Sequence, residues 1–156
     1  MIFYILGNQI TTLFLSMGIL TTLSFSSPIE SYIYGGSSKD ALFKVTNYKR
    51  TLAIKLSNKK VKSNLLVITK DRKYYFNLAY SKDNPHQFVE IQTGSVGEFY
   101  TKSFEGKNTE ILSGDKSILI VNKNNKPLNI NGIKIKSKGY FSKGVPIMNN
   151  GNRLFN

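Results

Sequence analysis

Alternation of apolar and polar positions with a period of two runs through the middle of the chain and predicts strands. In Thr51 to Leu56, Leu52, Ile54 and Leu56 share one face while Ala53 and Lys55 share the other, as a half-buried strand requires. Leu65 to Ile68 is an unbroken apolar run, the pattern of a strand covered on both sides. After a polar turn at Lys70-Asp71-Arg72, the residues Tyr74, Phe76, Leu78 and Tyr80 alternate with Tyr75, Asn77, Ala79 and Ser81. The first set is expected in the core, with Lys73 and Tyr75 facing out. A slip of one residue would turn the apolar set into water, so the pairing register is well specified.

Shorter strands are expected on either side. Ser31 to Ser38 ends in a Gly-Gly-Ser-Ser turn, Ala41 to Thr46 forms the next strand, and Ser81 to Pro85 is a turn leading into Gln87 to Gln92. Past Gly97 the candidates are Glu98 to Phe104, Thr109 to Leu112 and Ser117 to Val121. The sharpest hairpin signal is Asn131-Gly132 between Leu128/Ile130 and Ile133/Ile135, because Asn-Gly accepts the positive φ of a two-residue turn. No helical period survives after residue 30 and no fixed repeat is visible. The pattern predicts an all-β protein.

The N-terminal stretch reads differently. No Asp, Glu, Lys, Arg or His precedes Glu30, and Ile10 to Phe25 is apolar or hydroxylic throughout, followed by the small residues Ser26 and Ser27. Residues 1–26 are therefore expected to be a secretory leader cleaved after Ser26. A retained membrane anchor and a buried N-terminal helix are the alternatives. A leader or an anchor would place the rest of the protein across or against a membrane.

Composition narrows the chemistry. Aromatics make up 12% of the chain, enough to furnish a core. The absence of cysteine excludes disulfides, thiolate metal sites and cysteine nucleophiles. The net charge of +13 is compatible with an anionic partner, yet only Arg50, Arg72 and Arg153 among the 22 basic residues are arginine, and the lysines are spread over the chain after residue 38. A solvated lysine-rich surface explains such a spread; a nucleic-acid module concentrates its basic residues on one element. The aromatic and lysine mixture at Lys70 to Tyr80 could stack bases, but its spacing is that of a packed strand.

His86 is the sole histidine and is expected in an exposed loop, with no second ligand at metal-binding spacing. The nine acidic residues are scattered singly, and no serine lies in a nucleophile elbow. The expectation is a protein that is not an enzyme and needs no cofactor.

Residues 63–78 carry one further signal. Ser63, Asn64, Leu65, Val67, Thr69, Arg72, Tyr74, Phe76 and Leu78 stand in step, without a gap, with the pattern Ser/Thr-Asn-Leu-x-Val-x-Thr, two residues, Arg-x-Tyr-x-Phe-x-Leu. The stretch resembles the signature of the N-terminal domain of the CagX/TrbG family, outer-membrane core-complex subunits of type IV secretion systems. It is also similar to the plasmid-transfer subunit TraK. The resemblance covers residues 31–93 and implies a small antiparallel β-sandwich there. Residues 94–156 would add short strands to the same sandwich or form a small β-lobe.

The resemblance further implies a periplasmic, outer-membrane-associated structural subunit that oligomerises into a ring. Its partners would be an outer-membrane lipoprotein and an inner-membrane-anchored subunit. A small exported basic domain that binds nucleic acid or anionic surfaces is the alternative. Subunit contact is expected at unpaired strand edges, with Val145, Ile147, Leu154 and Phe155 as candidates in the apolar C-terminal strands.

Overall fold

The computed structural model describes residues 1–155. Among them are seventeen strands and no helix: β1 (Ile2–Ile5), β2 (Ile10–Leu15), β3 (Leu20–Phe25), β4 (Ile29–Tyr34), β5 (Ala41–Thr46), β6 (Thr51–Leu56), β7 (Lys62–Thr69), β8 (Lys73–Tyr80), β9 (Phe88–Thr93), β10 (Thr101–Glu105), β11 (Thr109–Ser113), β12 (Ile118–Asn122), β13 (Leu128–Ile130), β14 (Ile133–Ile135), β15 (Lys138–Phe141), β16 (Ile147–Asn149) and β17 (Asn152–Phe155). The chain divides into two compact units. Met1–Ile2 with Ile10–Gln92 form the first, and Phe3–Gln9 with the chain from Thr93 onward form the second.

The first unit contains two sheets, one in the order β2-β8-β7-β4 and one that includes β9-β3-β6-β5. Most pairings are antiparallel, as expected, but β2 runs parallel to β8 and β3 runs parallel to β9. One strand of each parallel pair comes from the stretch expected as a leader. Ile10 to Phe25 is built into the fold as β2 and β3, with Leu13, Leu15 and Leu23 at most 1% exposed. No helical anchor is formed by these residues. The resemblance to a leader has a local cause: β3 lies between β9 and β6, its inward residues are Thr21, Leu23 and Phe25 and its outward ones Leu20, Thr22 and Ser24, so neither face carries a charge.

Inward residues from the two sheets meet. The Phe25 and Tyr74 ring centroids are 5.1 Å apart, and Phe43 lies 5.4 Å from Tyr32 and 5.2 Å from Tyr34. Leu52, Ile54, Leu65, Val67, Phe76 and Leu78 complete this core, each at most 1% exposed. Burying one such side chain contributes about 1.5–3 kcal/mol, so the alternation read from the sequence supplies most of the driving force for pairing in this register.

The free edge of β2 is covered at Phe14. The Phe14 N–H donates to His86 Nδ1 at 2.9 Å, and the His86 N–H donates to the Phe14 carbonyl at 2.8 Å. Thr21 Oγ1 donates to the His86 carbonyl, and the histidine is only 5% exposed. His86 is thus a buried edge cover and not the exposed loop residue expected. The turn at Asn84, with φ of 52°, folds the segment after Pro85 back against the sheet edge. By contrast β4 and β5 end their sheets.

The second unit contains a sheet ordered β10-β11-β12-β15 and another ordered β14-β13-β16-β17. Tyr4 exchanges backbone hydrogen bonds with Lys143 at 2.9 and 3.0 Å. Gln9 ties into the same region, donating to the Tyr140 carbonyl and accepting from the Ser142 N–H, both at 2.9 Å. Ile111, Ile120, Ile130, Phe141 and Ile147 are buried here. The Asn131-Gly132 turn joins β13 to β14 with φ of 48° and 84°, the double positive φ that its sequence calls for. Asn131 Oδ1 also accepts the Met148 N–H at 2.9 Å, which fastens the turn to β16.

Candidate functional site

The nine signature positions form one hairpin, β7 and β8. Ser63 pairs with Leu78, Leu65 with Phe76 and Val67 with Tyr74, so these positions share the inward face. Leu65, Val67, Tyr74, Phe76 and Leu78 are each at most 3% exposed. Asn64 stands on the opposite, exposed face, level with Asn77. The turn is closed by Thr69, whose N–H and Oγ1 both donate to the Arg72 carbonyl at 2.9 Å while its Oγ1 accepts the Arg72 N–H. The Arg72 guanidinium lies 4.5 Å from the Tyr74 ring centroid, a cation–π contact at the mouth of the core.

Seven of the nine positions therefore have a packing or turn-closing task, and Ser63 and Asn64 do not. The arrangement brings no pair of acid and base together. Among the described residues there is no group of three or more His, Asp or Glu side chains placed to hold a metal ion.

The C-terminal candidates separate. Ile147 belongs to β16, which is hydrogen-bonded on both sides by β13 and β17, and its side chain is 2% exposed. Val145 precedes that strand and is 7% exposed. Neither is a free pairing edge, because β16 is already paired on both sides and Val145 lies outside any strand. Leu154 lies on β17, the terminal strand of its sheet, and is half-buried; Phe155 ends that strand, and its side chain lies outside the described residues.

Sequence reasoning missed the edge formed by β4 and β5. An open depression of about 770 Å³ lies along Ile29–Tyr32, with Val45, Lys49 and Lys70 on its other walls. Beside it Tyr34 donates to Asp40 Oδ2 at 2.9 Å. Burial, then that hydrogen bond and the carboxylate's charge, push the Tyr34 phenol up to about 12. Ile33 and Leu42, on these same two edge strands, are 60% and 59% exposed. The only signal for this edge in the sequence was the weak one of large apolar residues at outward parity in two short strands.

No family model matches the chain, and no curated protein matches it either.

Proposed function

We propose that the chain is a non-enzymatic structural subunit of a cell-envelope channel of the type IV secretion or conjugation kind. In this reading it assembles with copies of itself into a periplasmic ring at the outer membrane, against a lipoprotein and an inner-membrane-anchored subunit. The observation that carries the reading is the hairpin: nine positions in step with the CagX/TrbG signature fall on one β-turn-β unit. Five of them pack the inward face and two, Thr69 and Arg72, close the turn. The ring contacts between the two sheets of the first unit favour a sandwich, the build that the signature implies.

Residues 10–25 are strands, so the reading rests on the hairpin and takes no support from a leader. Subunit contact would use strand edges, where unpaired backbone groups offer a neighbour hydrogen bonds. In place of Val145 and Ile147, the edges β4, β5 and β17 are the sites for it.

Electron microscopy of detergent-extracted envelopes from cells producing the tagged full chain with its neighbouring gene products tests this. Ring-shaped particles containing the chain are expected. Recovery of the chain solely as a monomer in the cytosolic fraction would overturn it. One observation favours the alternative of nucleic-acid binding: Tyr75 is 38% exposed on a face that also carries Lys62 and Lys73. A salt-dependent mobility shift of single-stranded DNA, lost in Tyr75→Ser, would support that alternative.

A further inference from the structure

The outer face of the β2-β8-β7-β4 sheet carries one row of apolar side chains drawn from all four strands. Ile33 of β4 is level with Leu66 of β7, Leu66 with Tyr75 of β8, and Tyr75 with Ile10 of β2. Ile33 is 60% and Tyr75 38% exposed, and Leu66 and Ile10 are half-buried. The apolar run Leu65 to Ile68 called for cover on both sides, yet only Leu65 and Val67 reach the core. Leu66 and Ile68 point the other way and are half-buried. A depression of about 90 Å³, the size of one small side chain, opens in the row between Ile10, Leu66 and Tyr75.

The flanks of the row have one sign. Along one side run Asn64, Asn77 and Thr12, followed by Lys62 level with Ala79; along the other, Lys73 is level with Ile68. The paired outward positions of these strands hold two lysines and no carboxylate, Glu30 lying at the bulge where β4 leaves the ladder. A second copy of this chain, with a net charge of +13, would meet like charge with like.

Spacing decides the shape of the occupant. Neighbouring strands are about 4.8 Å apart, so the four side chains span roughly 14 Å. Same-face residues of an extended segment recur every ~6.7 Å and would overrun the row by about 6 Å over three intervals. Apolar residues at i, i+3 or i+4, i+7 and i+11 of an α-helix recur about every 5.5 Å and stay within about 2 Å of it.

From the row, its depression and the charge on its borders, we infer that this face is the docking surface for an amphipathic helix of a partner protein. That helix is apolar along one stripe, acidic on both sides of it, and crosses the strands. The inference goes beyond the channel reading and stands without it.

The test uses the full chain and two synthetic helical peptides with leucine at i, i+4, i+7 and i+11, one flanked by glutamate and the other by lysine. Fluorescence anisotropy at physiological ionic strength should show the glutamate peptide binding at least about tenfold more tightly than the lysine peptide. Amide chemical-shift changes should centre on Ile33, Leu66 and Tyr75. Lys62→Glu with Lys73→Glu, and separately Tyr75→Ser, should each weaken binding by about tenfold or more while keeping the wild-type urea midpoint. Lys134→Glu in the second unit serves as the control and should leave binding unchanged.

No binding of the glutamate peptide, equal binding of the two peptides, or binding indifferent to the Lys62/Lys73 reversal would each overturn the proposal. Binding of a thymidine oligonucleotide that is lost in that reversal, with no peptide binding, would assign the face to nucleic acid instead.

Discussion

Replacing Leu23 by alanine separates a folded N-terminal stretch from a removable one. Leu23 is 0% exposed on β3, level with Leu52 of β6 and Val89 of β9, so the cavity left by the substitution has packed strands on both sides. Leucine-to-alanine changes in such settings cost about 2–5 kcal/mol, the larger losses occurring where the surroundings cannot collapse. A site fixed by hydrogen-bonded strands on either hand belongs above the low end, at about 3 kcal/mol. For a cooperative unit of this size that lowers the melting midpoint by roughly 12–24 °C.

Urea denaturation of the full chain, read by tyrosine fluorescence and circular dichroism together, measures the loss, with an unchanged m-value expected. Thr22→Val, one residue along on the outward face, should move stability by less than about 0.5 kcal/mol. A Leu23→Ala protein as stable as wild type, or a purified mature chain that begins after residue 26, would refute the reasoning.

Three further outcomes follow from individual groups. Thr11 is 1% exposed and its Oγ1 has no hydrogen-bond partner, so Thr11→Val should raise stability by about 1 kcal/mol in the same urea assay. His86→Leu withdraws the Nδ1 acceptor of the Phe14 N–H and should cost about 1–3 kcal/mol; in the wild type, nitrogen NMR should show the proton on Nε2. Tyr34, with its phenol pushed up to about 12, favours the folded state while it stays protonated. Its contribution is full below pH 10 and falls away as the pH rises from 10 towards 12, because the unfolded chain releases that proton first. Tyr34→Phe should flatten the alkaline limb of the stability profile.

The reading of the sequence succeeded where one face of a strand is wet. β5, β6 and β8 alternate cleanly because Lys44, Lys55 and Lys73 mark the outward parity, and the all-β class follows from them. β2 and β3 were not legible as strands, because their outward positions are threonine, serine or apolar; without charges such a strand resembles a leader. Parallel pairing was invisible too, since periodicity assigns a residue to a face and says nothing about which strand lies beside it. His86 was misjudged because Pro85 marks a loop without revealing that the loop folds onto an edge.

Among the candidate residues, the inward hairpin positions were legible from period two. The C-terminal edges were not, because brevity alone does not distinguish the inner strand β16 from the terminal strand β17. The apolar row across β4, β7, β8 and β2 depends on register between distant strands, which a single sequence does not carry.

Hydrogen–deuterium exchange of the full chain tests the account's centre most directly, namely that the hairpin β7–β8 and the uncharged strands β2 and β3 form one packed framework. Amides of Leu13, Leu23, Val67 and Phe76 should be the slowest in the first unit and should exchange together. Exchange of residues 10–25 at the rate of an unstructured peptide, beside a protected hairpin, would contradict it.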